Sequence, residues 1–153
     1  MAYLLDTNIV SSLSPVERNL PSALEAWIRS ATSSLYISVV TVVEVRDGIQ
    51  RAERAGATRK AAALAKWWEG IEHYYSPRLL PFDLAAARIA GRLADEARAR
   101  GHNPGFADIA IAATAQMRGY IVLTRNMRHF APLGGLALDP FVALPPLTGS
   151  GRN

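Results

Sequence analysis

The sequence predicts a single α/β domain in which a short, central parallel sheet is flanked by helices on both sides. Short strand-like segments alternate along the chain with longer segments whose apolar residues recur every three or four positions. The strand-like segments are almost continuously apolar, which is typical of strands buried on both faces of a parallel sheet. The chain has 153 residues and half of them are hydrophobic, so one domain with a sizeable core is expected.

The first half of the chain is predicted to begin with a strand and to continue mainly with helices. The apolar run 2–5 ends abruptly at Asp6, as a buried strand does where it reaches the edge of a sheet. The valine-rich stretch 39–43 favours a strand by propensity, but the apolar residues through Ile49 recur at helical spacing and favour a helix. The elements predicted after the first strand are a short helix ending near Ser14, a helix opening at Pro21, a strand at 35–38, and helices at about 40–55 and 58–75.

The second half of the chain continues the alternation of strands and helices. Its predicted elements are a strand at 78–80, a helix from Asp83 to Gly101, a helix from Asn103–Pro104 to Gly119, and strands at 120–123 and 136–138. Asp83 is a suitable N-cap, and Asn103–Pro104 combines an N-cap with a first-turn proline. We assign the domain to residues 1–142, and we predict that residues 143–153, which begin with prolines, form a flexible tail.

The composition excludes several classes of protein. The chain has no cysteine, which rules out disulfide scaffolds, thiol nucleophiles and iron–sulfur clusters. It has three histidines, so an all-histidine zinc centre would need every one of them. No apolar stretch is long enough for a transmembrane helix or resembles a signal peptide. These features predict a cytoplasmic protein that does not interact with a membrane.

The chain carries more positive than negative charge. It has 17 lysine and arginine residues against 13 aspartate and glutamate residues, and all of the basic residues except Lys60 and Lys66 are arginine. Arginine is well suited to phosphate groups because its planar fork binds two oxygens at once. This bias favours a nucleic-acid partner, although a GC-rich coding sequence would enrich arginine as well.

Three carboxylates lie in unusually apolar surroundings, namely Asp6, Glu44 and Asp108. Each has an ordinary structural explanation. Asp6 is placed to cap the next helix, Glu44 to pair with Arg46 or Arg51, and Asp108 to interact with the dipole at the start of its helix. Three such residues spread over the chain nevertheless suggest one shared site, because an unpaired carboxylate in an apolar environment is costly.

The predicted sheet brings such residues to one edge. Asp6 and Asn126 both follow strands, and ligand sites of parallel sheets gather beyond the carboxyl ends of the strands. Carboxylate oxygens without cysteine, and with few histidines, suit a hard cation such as Mg²⁺ or Mn²⁺. In an arginine-rich protein, this combination points to phosphodiester chemistry.

Four segments that contain these residues resemble the PIN-domain family, and within it the VapC/FitB-type toxins of bacterial toxin–antitoxin pairs. In the order of the family they are Tyr3–Ile9, Ile37–Ile49, Phe106–Ala115 and Thr124–Phe130. The resemblance extends over about residues 2–142. Each motif alone is moderately specific, but the four together in this order are a strong indication of the family.

The resemblance implies an endoribonuclease that depends on Mg²⁺ or Mn²⁺ and hydrolyses RNA with a metal-activated water. The catalytic residues it implies are Asp6, Glu44, Asp108 and Asn126, of which the first three would be metal ligands. The supporting residues it implies are Thr7 and Thr124 beside the carboxylates, Asn8 beside the ligands or water, and Arg125 at the scissile phosphate. A surface ion pair is the alternative role for Arg125. The resemblance also implies a homodimer and a small antitoxin, which could join the toxin in a hetero-oligomer.

One position departs from the family pattern. The family often has a fourth acid in the last motif, where this chain has Asn126 and His129. The lost charge leads us to expect one tightly held metal ion rather than two. It also keeps open a second function, a catalytically weak RNA-binding or assembly module. A haloacid-dehalogenase-like phosphatase is disfavoured because Asn8 stands where that chemistry needs a second aspartate. The RNA target, the antitoxin and the choice of RNA over DNA stay open.

Overall fold

The computed structural model describes residues 1–147, and in this part of the chain five strands alternate with seven α-helices. The strands are Tyr3–Leu5 (β1), Leu35–Ser38 (β2), Leu79–Leu80 (β3), Ile121–Leu123 (β4) and Ala137–Leu138 (β5). The helices are Thr7–Ser12 (α1), Ser22–Ala31 (α2), Val39–Arg54 (α3), Thr58–Tyr75 (α4), Leu84–Ala99 (α5), Phe106–Arg118 (α6) and Met127–Phe130 (α7). This arrangement confirms the predicted α/β class.

The five strands form one parallel sheet in the order β3-β2-β1-β4-β5. β1 lies in the centre, where Leu4 is in register with Tyr36 on one side and with Val122 on the other. Because all strands run in the same direction, their carboxyl ends meet at one edge of the sheet. Residues that follow β1, β2 and β4 are therefore brought together although they are far apart in sequence.

Side chains of the central strand point alternately to two hydrophobic cores. Tyr3 and Leu5 pack into the core that contains Trp27 and Trp68, from helices α2 and α4. Leu4 points to the other core, which is built mainly from α5 and α6. All three residues of β1 are completely buried, which explains why the strand reads as a continuous apolar run rather than as an alternating one.

Most of the predicted elements lie where the sequence patterns indicated. The valine-rich stretch is the first turn of α3, and the hydroxyl of Ser38 caps it by accepting a hydrogen bond from the backbone N–H of Val40 at 3.1 Å. The carboxylate of Asp83 caps α5 through the N–H of Ala86 at 2.9 Å. Gly119 ends α6 with a positive φ of 69°, a conformation that favours glycine.

The predicted start of α6 was wrong. The helix begins at Phe106 with Gly105 as its N-cap, and Asn103–Pro104 precede it as irregular chain. Gly105 has an extended backbone, so the proline cannot occupy the first helical turn. The sequence reading also missed α7, Met127–Phe130, because a helix of four residues is too short to show a periodic pattern.

The chain near its C-terminus returns to the sheet. The hydroxyl of Tyr3 donates a 2.7 Å hydrogen bond to the carbonyl oxygen of Pro146. Of the predicted tail, residues 148–153 lie outside the described residues. Within residues 1–147, none of the helices is sufficiently long and apolar to cross a membrane.

Candidate active site

The residues singled out from the sequence lie on elements that meet at the carboxyl edge of the sheet. Asp6 directly follows β1, and Asn126 lies three residues beyond the end of β4. Glu44 lies in the second turn of α3, which continues directly from β2. Asp108 lies in the first turn of α6. The three acids therefore come from three different elements that the parallel sheet places side by side.

Asp6 is the most buried of these acids, with 4% of its surface exposed. Its Oδ1 accepts a 2.8 Å hydrogen bond from the backbone N–H of Thr7, so it does cap α1. Its Oδ2 accepts a 2.7 Å hydrogen bond from the hydroxyl of Thr124. The two bonds hold both carboxylate oxygens in fixed positions at the end of the central strand.

The electrostatics at Asp6 are unusual. Burial raises the pKa of its carboxyl from the ordinary 3.8 to about 6, against the lowering effect of the hydrogen bonds from Thr124 and Thr7. The negative charges of Asp108 and Glu44 contribute to this rise as well. The site therefore carries negative charge that the neighbouring protein groups do not neutralise, which is the condition under which a bound cation is most favourable.

Glu44 is held by the hydroxyl group of Thr7 rather than by arginine. The hydroxyl of Thr7 lies 2.6 Å from Oε1 of Glu44 and donates to it, and it also lies 3.0 Å from the hydroxyl oxygen of Thr41. The arginines proposed as partners of Glu44 pair elsewhere, Arg46 with Glu72 and Arg51 with Asp47. Thr41 is completely buried, and sequence reasoning missed it because the packing of α1 against α3 alone brings it to the site.

Asp108 contacts the last motif through His129. The Oδ2 atom of Asp108 lies 3.0 Å from Nδ1 of His129, and that same nitrogen lies 2.7 Å from the amide of Asn126. Nδ1 can donate to the carboxylate when it carries the proton, or accept from the amide when it does not. The imidazole of His129 therefore forms a hydrogen bond with one of these two neighbours at a time.

Asn8 and Arg125 form one wall of the site. The amide of Asn8 lies 3.3 Å from the hydroxyl oxygen of Thr124, and its Oδ1 accepts from the backbone N–H of Arg125 at 3.3 Å. The guanidinium of Arg125 lies 4.3 Å from the centre of the Phe141 ring, a cation–π contact. Within residues 1–147 Arg125 forms no ion pair, so the surface ion pair considered from the sequence is not found. No sequence pattern singled out Phe141.

The donor atoms at this edge fit a hard divalent cation. They are carboxylate oxygens of Asp6, Glu44 and Asp108, with the amide of Asn126 nearby, and Mg²⁺ and Mn²⁺ prefer oxygen ligands of this kind. Among residues 1–147 no three Asp, Glu or His side chains close around one point. Mg²⁺ commonly retains several waters and takes one or two carboxylates, so a looser arrangement suits it.

Both the sequence and the fold of this chain are similar to those of known proteins. The sequence profile of the PIN domain matches residues 3–134. The VapC ribonuclease Y4jK of Sinorhizobium fredii is 34% identical over 139 residues, 90% of this chain and 96% of that protein. The crystal structure of FitAcB from Neisseria gonorrhoeae matches with a TM-score of 0.75 at 31% identity, covering 91% of this chain and 98% of that one. VapBC-5 of Mycobacterium tuberculosis, from the VapBC family of toxin–antitoxin systems, matches with a TM-score of 0.64 at 28% identity, covering 89% and 93%.

Proposed function

This chain belongs to the PIN-domain family, and from that premise we propose that it is a metal-dependent endoribonuclease that acts as the toxin of a toxin–antitoxin pair. The observation that carries the proposal is the buried carboxylate of Asp6, which Thr124 and Thr7 hold at the end of the central strand beside the negative charges of Asp108 and Glu44. Its relative in Sinorhizobium fredii is named a VapC ribonuclease, which supports RNA as the substrate.

Asp6, Glu44 and Asp108 are the residues that would hold Mg²⁺ or Mn²⁺. When bound there, such an ion supplies an activated water at neutral pH and stabilises the negative charge that develops on the phosphate oxygens. Thr124 and Thr7 hold the carboxylates of Asp6 and Glu44 in place through their hydroxyl groups. Hydrogen-bonded neighbours of this type commonly affect metal affinity or activity by about 10–100-fold.

Arg125 would bind a phosphate of the RNA substrate, and Asn8 would orient water or a ligand beside it. Stacking on Phe141 holds the guanidinium of Arg125 beside the site while leaving its N–H groups free to bind a phosphate. Asn8 is fixed by its bonds to Thr124 and Arg125 and can orient water or a ligand from there. No base-specific group is needed for the cleavage step itself.

The number of metal ions that the site binds depends on its total negative charge, to which neither Asn126 nor His129 contributes. An asparagine contributes an oxygen but no charge, and a histidine beside Asp108 adds no negative charge either. We therefore expect one tightly held ion, with a second present at most together with substrate. Two equally tight sites in a calorimetric titration of the metal-free protein would contradict this.

Two kinds of partner follow from the proposal. A small antitoxin is expected to bind and inhibit the chain, because similar solved structures include a member of a toxin–antitoxin family. A homodimer, or a hetero-oligomer with the antitoxin, is expected as well, in the cytoplasm where the RNA substrates are.

An alternative function is favoured by the chemistry of the last motif. Because Asn126 replaces a charged residue, the protein would be an RNA-binding or assembly module if its metal site were too weak to support catalysis. Such a module would bind RNA without cutting it, and Asn126→Asp would then be expected to create activity.

One assay separates the two functions. Total bacterial RNA is incubated with the protein and Mg²⁺ or Mn²⁺, with EDTA, and with Asp6→Asn. Discrete fragments that require both the metal and Asp6 would establish the nuclease. The matched control is Asp95→Asn, whose side chain is 83% exposed on α5 and which should cut like the unchanged protein. Absence of cleavage together with RNA binding would support the alternative.

A further inference from the structure

An open cavity of about 490 Å³ lies next to the active site, and we refer to it as the polar cavity. Its lining residues are all polar: Asn8, Ser11, Ser12, Glu17, Asn19 and Arg125. Their side chains supply hydrogen-bond donors and acceptors to a polar ligand. The volume lies within the range of about 300–1,000 Å³ that is common for small-ligand sites.

The polar cavity is connected to Asp6 by a short chain of hydrogen bonds. Asp6 accepts from Thr124 at 2.7 Å, Asn8 lies 3.3 Å from the same threonine hydroxyl, and Arg125 donates its backbone N–H to Asn8. A group bound in the polar cavity therefore lies immediately beside the residues that would cut the RNA. A nucleotide adjacent to the scissile phosphate would lie in this position.

Two charged groups of opposite sign line the polar cavity without neutralising each other. Arg125 is fixed over Phe141, and Glu17 lies on the segment after α1. In the described part of the chain neither side chain comes within 4.0 Å of an oppositely charged partner. A nucleotide has complementary chemistry, because its phosphate suits the arginine and the N–H donors of its base suit the carboxylate.

We propose that the polar cavity binds the base of a nucleotide next to the cut bond and that Glu17, assisted by Asn19, selects guanine. Guanine presents two neighbouring N–H donors, from its ring and its amino group, to the two oxygens of a carboxylate. Uracil presents carbonyl oxygens beside its single N–H, and these would be repelled. The inference rests on the proposed function, since it names the sequence preference of the same site.

Binding to short RNA in EDTA tests this inference without any cleavage. The probes are hexanucleotides of adenosine with one central guanosine or one central uridine, labelled for fluorescence anisotropy. We expect the guanosine strand to bind about tenfold more tightly, because a bidentate contact to a base edge is strong enough for that discrimination. Glu17→Gln should reduce the preference to about twofold, because the amide keeps only one acceptor oxygen.

Glu69→Gln is the matched control, because Glu69 is exposed on α4 and does not line the polar cavity. It should retain the full preference. Equal binding of the two strands by the unchanged protein, or an unchanged preference in Glu17→Gln, would overturn the inference. The proposed function would be contradicted by a different result, namely the absence of metal-dependent cleavage of any RNA. A guanine preference in binding could still be observed in that case, so the two outcomes are distinguishable.

Discussion

The hydroxyl of Thr124 donates a 2.7 Å hydrogen bond to Oδ2 of Asp6, although the two residues are 118 positions apart in the chain. They come together because β1 and β4 are neighbours in the sheet. The same hydroxyl oxygen accepts a 2.9 Å bond from the backbone N–H of Asn126, and Thr124 is completely buried. One hydroxyl thus fixes both the central carboxylate and the start of the last motif.

Replacing Thr124 by valine is expected to slow RNA cleavage about 10–100-fold, the usual effect of losing a group that orients a metal ligand. The partly buried N–H of Asn126 would also lose its acceptor, so the free energy of unfolding should fall by about 0.5–1.5 kcal/mol. Cleavage rates and urea unfolding would measure the two effects. Thr124→Ser keeps the hydroxyl, and failure of serine to recover most of the activity would show that the bond is unimportant.

Without metal ions, the stability contributed by Asp6 should decline as the pH rises from about 4 to above 6. Burial raises the pKa of Asp6 from 3.8 to about 6, so the folded protein holds a proton that the unfolded chain has released. This stabilisation is complete below the unfolded pKa and lost as the pH rises through the folded pKa. A shift of about two units corresponds to about 3 kcal/mol.

Asp6→Asn should therefore be more stable than the unchanged protein at pH 8 in EDTA, because the buried charge is gone. Urea unfolding at pH 5 and pH 8 would measure the difference, and the variant should show the weaker dependence on pH. Added Mg²⁺ should stabilise the unchanged protein at pH 8 and leave the variant largely unaffected. A variant as dependent on pH as the unchanged protein would show that Asp6 is not the group responsible.

His129→Ala is expected to weaken Mn²⁺ binding at pH 8 about tenfold. Nδ1 of His129 lies 3.0 Å from Oδ2 of Asp108 and can donate to it, so loss of the imidazole leaves that carboxylate without an oriented partner. Isothermal calorimetry would measure the dissociation constant. His73→Ala is the control, because His73 is exposed on α4. If the two variants bound Mn²⁺ with equal affinity, His129 would not contribute to the metal site.

Glu44 and Glu72 should respond to the same substitution in opposite ways. Glu44→Gln keeps an acceptor for Thr7 but removes a charge, so cleavage should fall more than 100-fold while the free energy of unfolding changes by less than about 1 kcal/mol. Glu72 bonds to Trp68 at 2.6 Å and to Arg46 at 2.9 Å, which ties α3 to α4.

Glu72→Gln should therefore lower the free energy of unfolding by about 1–2 kcal/mol, since Arg46 loses its charged partner and the N–H of Trp68 loses a charged acceptor. Its cleavage rate should stay within about twofold. Paired measurements of cleavage and of urea unfolding on both variants would check the contrast. Loss of activity in Glu72→Gln without loss of stability would mean that the active site includes part of α4.

Much of the fold could be predicted because its signals are local. Short apolar segments alternate with segments of helical periodicity, and both patterns are visible in the sequence. The N-cap of α5 at Asp83 and the end of α6 at Gly119 are also marked by residue type. The valine-rich stretch was assigned to a helix because the helical spacing of the apolar residues through Ile49 outweighed the strand propensity of valine. The structure explains this spacing, since α3 has one buried face. The start of α6 was mispredicted because Gly105 takes the cap position after the proline, and no periodic pattern marks that choice.

The sequence by itself determined the α/β class and singled out Asp6, Glu44 and Asp108 as carboxylates in apolar surroundings, because short-range patterns specify both. Only the tertiary structure decided that Thr7 rather than an arginine holds Glu44 and that His129 contacts Asp108. The physical reason is the strand order β3-β2-β1-β4-β5. It makes neighbours of segments from opposite ends of the chain, and their hydrogen bonds depend on how helices pack against the sheet, which no local pattern encodes.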